Sequence, residues 1–317
     1  MRILKLYLKK NKTVGTEGEQ RLLVPKNGDV KLELRKLLGI KSEIGNILEE
    51  FVDEFEVILV ETEAELQAYC AKMNCGENGS KYFVDSLLIA AADATIAIGK
   101  EYGIATIAYM NPKIPNQTYS GVDMIVEGFE EVDAKFLEKV WQRYHHLPWE
   151  IAKTERCIIR ELSLGDLDAL FDLYVDEEIT KYTEGLYSYE EEQEFQIAYI
   201  NNMYRFYGYG MWLVFSKETG ELIGRAGLEH REYNGETELE LGYVIGTKFQ
   251  RQGYATEVCQ QIIEIAKAMT DFPRINCLID AGNIASFRLA EKLGFFHLED
   301  MELDGKLMKR YVKELFV

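Results

Sequence analysis

The sequence predicts two domains of mixed α and β structure, an α/β domain over residues 1–150 and an α+β domain over residues 151–317. Three observations lead there. The chain has 317 residues, and at roughly 100–200 residues per domain that length fits two, each able to bury a core. Its 47% hydrophobic and 28% charged content excludes a chain disordered throughout. The hydrophobic pattern also changes at HHLPWEIAKTER, residues 145–156. Pro148 disfavours helix at Leu147; strands alternate with helices before this break and follow one another after it.

In the first half, residues 3–8 read as a strand, and helices are expected near 30–38 and 43–54. EVILV at 56–60 is a short buried strand. A helix over 62–73 follows, with Thr62 and Glu65 at capping-box spacing. Residues 82–84 suggest a second strand, and 86–102 an apolar helix closed by Gly103. IATIAYM at 104–110 is a third strand, 123–126 a fourth, and 132–144 the last helix. Such alternation favours a parallel sheet.

In the second half, 157–160 is a strand, Ser163 caps a helix to about Tyr174, and Ser188 opens a second reaching about Tyr204. Strands follow at 211–216, 221–231 and 238–245, joined by KETG at 217–220 and by the Asn-Gly turn at 234–235. A long amphipathic helix from about Ala255, a strand at 275–280 and a helix from Asn283 complete the pattern.

The net charge of -18 argues against a dedicated nucleic-acid binder, which needs a basic surface. It suits an amine-bearing ligand, and equally simple solubility. The basic, interrupted N-terminus is not a secretory signal, and no apolar run reaches the ~18 residues of a membrane span. The five cysteines, Cys70, Cys75, Cys157, Cys259 and Cys277, form no disulfide framework, so a reducing cytoplasm is expected. No metal site is expected, because the adjacent His145 and His146 are poorly placed to share one ion.

The chemistry concentrates in ELELGYVIGTKFQRQGYATEVCQQIIEIAKAMT, residues 238–270. Between strand and helix lies Gln250-Arg251-Gln252-Gly253-Tyr254-Ala255, followed by Thr256. Gly253 and Ala255 let the backbone approach a ligand, and the free N–H groups of the first helical turn suit an anion such as pyrophosphate. Alone, this is also an ordinary strand–loop–helix joint.

With NIAS at 283–286 and EKLGF at 291–295, residues 156–315 resemble the GNAT superfamily of acyl-CoA-dependent N-acetyltransferases. IGRAGL at 223–228 and NIASFRLAEKLGF resemble the branch that acetylates ribosomal-protein N-termini and related amines. The resemblance implies a mixed, mostly antiparallel sheet and acetyl-CoA as co-substrate. It assigns the pyrophosphate to Gln250, Arg251, Gln252, Gly253, Tyr254, Ala255 and Thr256, and the pantetheine arm to the backbone of Tyr243, Val244 and Ile245. Asn283 matches a position that bonds the cofactor arm, and competes with its role as an N-cap.

The implied reaction is attack of a neutral amine on a thioester, which calls for a base and a donor to the developing oxyanion. Glu240 is the favoured base; Glu238, two residues earlier on the same strand face, is the alternative. The tyrosine that many members use as leaving-group acid is replaced by Ala290, and Ser286 stands in as a hydrogen-bond donor to the thiolate. Glu184 and Glu229, with Tyr199 and Tyr204, are expected around the acceptor ammonium, although acidic helix starts and core aromatics explain the same residues.

Residues 81–128 more weakly resemble a haloacid dehalogenase-like fold, implying a Rossmann-like three-layer domain with Asp85 at a strand end. That family's nucleophilic Asp-x-Asp is missing after ILKLYL, so the domain is expected to be catalytically silent and to serve regulation, substrate presentation or homodimerisation. The expected partner is an amine-bearing small molecule or peptide, with neither nucleic acid nor membrane. Two alternatives to acetyl transfer stand beside it, a non-catalytic acyl-CoA sensor and a bifunctional phosphatase–acetyltransferase.

Overall fold

The computed structural model describes residues 3–7, 56–60, 63–73, 83, 86–122, 124–129, 132–233, 235–303 and 305–316. The chain divides into two compact units, Met1–Leu147 and Pro148–Val317.

The first unit holds strands β1 (Ile3–Tyr7), β2 (Glu56–Val60), β3 (Ser86–Ala90), β4 (Ala105–Tyr109) and β5 (Met124–Val126), in the order β2-β1-β3-β4-β5. Its described helices are α1 (Glu63–Met73), α2 (Asp93–Glu101) and α3 (Ala134–Tyr144). β3, β4 and β5 pair in parallel, but β1 runs antiparallel to both β2 and β3. The sheet is therefore mixed, whereas strand–helix alternation alone pointed to a parallel one.

The main local difference lies at 86–90, expected to begin a helix. These residues are strand β3, and all five are buried. Burial on both faces removes the period-two signal, so SLLIA reads alike as buried strand or buried helix. The helix starts at Asp93, whose carboxylate accepts from the N–H groups of Thr118 and Tyr119, each at 2.8 Å. Of the strand expected at 82–84 only Phe83 is described, and it lies in a turn. The helices expected at 30–38 and 43–54, together with Cys75 and Asp85, lie outside the described residues.

The second unit is built on eight strands in the order β12-β13-β11-β10-β9-β8-β7-β6. They are β6 (Glu150–Lys153), β7 (Cys157–Arg160), β8 (Met211–Ser216), β9 (Leu222–Tyr233), β10 (Glu236–Ile245), β11 (Arg274–Asp280), β12 (Phe296–Leu303) and β13 (Lys306–Glu314). Every neighbouring pair is antiparallel except β10 and β11. This is the mixed, mostly antiparallel sheet that the resemblance implied. Edge strand β6 falls within the break segment, is only four residues long, and was not expected.

Helix α4 (Leu167–Tyr174) follows a single tight turn, and α5 (Glu177–Thr180) is one turn long. Helix α6 (Tyr189–Tyr199) starts from the Ser188–Glu191 capping box. It runs on as a wider helical stretch, Ile200–Tyr207, to Gly208 at φ 78°. Helices α7 (Tyr254–Met269) and α8 (Ile284–Lys292) complete the unit. The core gathers Trp212, Leu228, Leu239, Leu241, Val258, Ile262 and Ile275, all between 0% and 3% exposed. Strand geometry decides what β10 offers elsewhere: Leu239 and Leu241 point to this core, so Glu238 and Glu240 point to the other face. Among the described residues no helix is long and apolar enough to cross a membrane.

Candidate functional site

The parallel ladder between β10 and β11 carries only two pairs, Leu239↔Ile275 and Glu240↔Asn276. Beyond them β10 continues to Ile245 alongside β9, and β11 continues to Asp280 alongside β13. The facing edges of the two strands part, which frees backbone N–H and C=O groups for another polar chain. Tyr243, Val244 and Ile245 lie on this splayed edge.

Where β10 ends, the chain turns through Gln250–Gly253 into α7. Arg251 has φ 60° and Gly253 φ 88°, left-handed conformations that only glycine adopts without cost. Gly253 is the N-cap of α7 and supplies no side-chain cap, so the N–H groups of Tyr254, Ala255 and Thr256 face outward. Two glutamine side chains brace the loop. Gln250 Nε2 donates to the Ile245 carbonyl at 3.0 Å, and Gln252 Nε2 to the Lys248 carbonyl at 2.7 Å. Their role is thereby to shape the loop, leaving its backbone to bind.

Arg156, which the sequence pattern did not single out, holds the loop from outside. Its Nη1 donates to the Gln252 carbonyl at 3.0 Å, its Nε to Glu257 at 2.7 Å, and its guanidinium lies 4.1 Å from the Tyr254 ring centroid. Lys292 Nζ donates to Thr256 Oγ1 at 3.3 Å, adding positive charge beside the same helix start.

The three strand carboxylates have different surroundings. Glu238 is only 7% exposed. It accepts from Arg274 Nε at 2.7 Å, from Asn276 Nδ2 at 2.8 Å and from Arg310 Nη2 at 2.8 Å, and also from Arg274 Nη2. Arg274 above all, with Asn276 and Arg310 and against the cost of burial, holds its carboxyl at about 2. A group so weakly basic and so fully bonded is a poor proton acceptor at neutral pH. Glu240 accepts from Arg231 Nε at 2.7 Å and from the Tyr233 hydroxyl at 2.8 Å, both on Oε2. Among the described residues no hydrogen bond falls on its Oε1. Glu229 pairs directly with Glu240 across the ladder, so both face the same way. It accepts on Oε1 from the Tyr199 hydroxyl at 2.9 Å. Tyr199 in turn accepts from the Met211 N–H at 2.7 Å; burial and then Glu229 push its hydroxyl well above the ordinary tyrosine value.

Arg225 faces the same side as Glu229 and Glu240. It is 8% exposed, and among the described residues its Nε has no hydrogen-bond partner. Its guanidinium lies 5.6 Å from the centroid of the Tyr199 ring. Burial works against its charge, but Tyr174, Tyr199, Tyr204 and Glu229 outweigh it and keep the group protonated. The segment between α4 and α6 is tied to both lips of the splay. Asp176 accepts from Thr247 Oγ1, after β10, at 2.5 Å, and the Tyr182 hydroxyl donates to the Gly282 carbonyl, after β11, at 3.1 Å. Glu184 is exposed on this segment.

At the start of α8, Asn283 Oδ1 accepts from the Ser286 N–H at 3.2 Å. The cap role thus engages Oδ1 and leaves the amide NH2 to donate to a ligand. Ser286 is half-buried, and the Tyr243 hydroxyl donates to its carbonyl at 3.5 Å. Ala290 is buried at 1% exposure, so no hydroxyl exists there. The structure brings Glu229, Glu240, Tyr199 and Arg225 to one face. The splayed edge, the 250–256 loop and the start of α8 lie at the carboxyl ends of β10 and β11. The arginines that partner the strand carboxylates, Arg231, Arg274 and Arg310, were missed; for Arg231 the available signal was charge at period two, Glu229 and Arg231 facing Glu240 and Glu238.

Residues 156–296 match the family model described as an acetyltransferase (GNAT) domain. Among curated relatives, the N-acetyltransferase YoaA of Bacillus subtilis is 30% identical over 148 residues, covering 46% of this chain and 82% of its own length. YkkB, also of Bacillus subtilis, is 27% identical over 164 residues, covering 51% of this chain and 95% of its own. Among solved structures, a GNAT-family acetyltransferase from Bacillus anthracis is 22% identical with a TM-score of 0.44, covering 51% of this chain and 97% of its own.

Proposed function

Because the chain belongs to the GNAT acetyltransferase family, we propose that its second unit transfers an acetyl group from acetyl-CoA to a primary amine, either a protein N-terminus or a small amine. The parting of β10 from β11 beside the uncapped start of α7 carries this reading. When bound, acetyl-CoA supplies an activated acetyl thioester. The chain's part is to hold, orient and deprotonate. The outward N–H groups at 254–256, with the loop shaped by Gln250, Gly253 and Arg156, hold the pyrophosphate. The free edge at Tyr243, Val244 and Ile245 bonds the pantetheine amides, and an N–H of that edge faces the charge that develops on the thioester oxygen.

Glu240 is the proposed base, acting through its open Oε1, with Glu229 opposite it drawing the ammonium in. Glu238 is left out of this role because its lone pairs are spent on Arg274, Asn276 and Arg310. Ser286 is proposed to hydrogen-bond the departing thiolate, since a hydroxyl of that kind is too weak an acid to protonate it fully. Four of the cysteines, Cys70, Cys157, Cys259 and Cys277, are buried and unbridged, which supports a reducing cytoplasm. For the first unit we propose a catalytically silent role in regulation, substrate presentation or dimer formation.

Release of CoA thiol from acetyl-CoA, screened against aminoglycosides, polyamines and basic peptides, tests the reading. Release with at least one amine class is expected. Silence with every amine, alongside tight CoA binding, would replace transfer by acyl-CoA sensing.

A further inference from the structure

Building on the acetyl-transfer reading, we infer that the chain distinguishes coenzyme A from carriers lacking its ribose 3′-phosphate, and that Arg288 and Lys292 of α8 receive that group. Both side chains are exposed. They stand at i and i+4 in α8, so they share one face, about 6 Å apart along the helix axis. Lys292 Nζ donates to Thr256 Oγ1 at 3.3 Å. The last turn of α8 is thereby held against the first turn of α7, where the N–H groups of residues 254–256 face outward.

The cations around that helix start fall into two groups. Arg156 is held by Glu257 at 2.7 Å, and Lys248 by Glu221 at 2.9 Å. Arg251, Arg288 and Lys292 form no ion pair among the described residues. The chain has 54 acidic residues against 36 basic ones, so carboxylates are in excess and a base is easily paired. Glu291, the only carboxylate in α8, stands at i+3 to Arg288, a spacing that permits a pair, yet does not bond it. Like charges at i and i+4 repel. The helix dipole favours Lys292, in the last turn, but does nothing for Arg288, in the middle.

This layout sorts the anionic groups of the co-substrate. The outward N–H groups and Arg251 take the diphosphate. One anionic group then remains, the ribose 3′-phosphate, a monoester with close to two negative charges at neutral pH. A guanidinium meets such a group through a fork of two N–H donors, and an ammonium meets it as a point charge. Arg288 and Lys292 supply one of each, open to solvent and beside the diphosphate site. Ile284, one turn before Arg288 on the same face of α8, is 60% exposed and gives the flat base an apolar surface to rest on. The pair also reverses, at one place, the field of a chain whose net charge of -18 repels an anion at longer range.

The test is isothermal titration of the full-length protein with CoA and with 3′-dephospho-CoA, which needs no acceptor amine. Wild type should bind CoA about tenfold more tightly, the worth of two solvent-exposed charge contacts, and the ratio should shrink as ionic strength rises. Arg288→Gln combined with Lys292→Gln should bring the ratio close to one, with the melting temperature unchanged because both side chains are exposed. Arg288→Lys, which keeps the charge without the fork, should retain part of the preference. A wild-type ratio near one would overturn the inference and leave both residues as solvated surface cations. So would a ratio that stays near ten in the double variant, or an equal weakening of both ligands, which would assign the two cations to the diphosphate. Binding of neither ligand would overturn the acetyl-CoA reading itself.

Discussion

Replacing Glu238 separates structural from catalytic carboxylates on β10. Glu238→Ala removes the acceptor for Arg274, Asn276 and Arg310 at once. Arg310 is the costly loss, because its side chain is 3% exposed and its charge stays behind. Breaking one side of a buried ion pair costs roughly 3–5 kcal/mol. Arg310 keeps Glu299 at 2.7 Å and Asn276 at 2.9 Å, which places the expected cost near the low end, about 3 kcal/mol. At about 2–4 °C per kcal/mol for a domain of this size, the second unit should melt about 6–12 °C lower. Thermal unfolding followed by circular dichroism reads this. Glu238→Ala together with Arg310→Met, which removes the stranded charge, should recover part of the loss.

The same site has a pH signature. The Glu238 carboxyl is held at about 2, below its ordinary 4.5. Its ionisation therefore stabilises the fold fully above pH 4.5, and that contribution is lost as pH falls towards 2. The stability gap between wild type and Glu238→Gln should narrow over this window. Below the melting range, the turnover of Glu238→Gln should stay within a few-fold of wild type. A loss of about a hundredfold or more with an unchanged melting temperature would refute the reasoning and return Glu238 to the role of base.

Glu240→Gln should lower kcat by about 10²–10⁴-fold with little change in melting temperature; activity within threefold would move the base to Glu229. Gly253→Val forces a branched side chain into φ 88°, at a cost of about 1–2 kcal/mol, and should raise the KM for acetyl-CoA about tenfold in steady-state kinetics. Arg156→Met should raise that KM with kcat nearly unchanged, because it loosens the Gln252 and Tyr254 bracing without touching the reacting groups. Ser286→Ala should reduce kcat about three- to tenfold, the worth of one hydrogen bond to a charged group; an unchanged kcat at saturation would remove Ser286 from the chemistry.

The legible parts of the chain were those governed by local physics. Gly253 marked the left-handed turn before α7, Ser163 and Ser188 marked helix starts, and alternation marked β8, β9 and β10. Residues 86–90 were misread because complete burial erases periodicity. The edge strand β6 escaped because four residues beside a proline carry little pattern. Asn283 was legible as both cap and ligand, and the fold uses its Oδ1 as a cap.

By itself the sequence determined the order of strands β7 to β11 with helices α4, α6, α7 and α8, the small-residue loop at 250–255 and the family to which the second half belongs, since each depends on residues close together in the chain. Only the tertiary structure decided what the carboxylates and arginines do. Glu238 and Arg310 are 72 residues apart, Arg156 and Glu257 are 101 apart, and Arg225 has no ion-pair partner among the described residues. A charge's role depends on which groups share its dehydrated surroundings, and strand register across the sheet, not sequence spacing, chooses those groups.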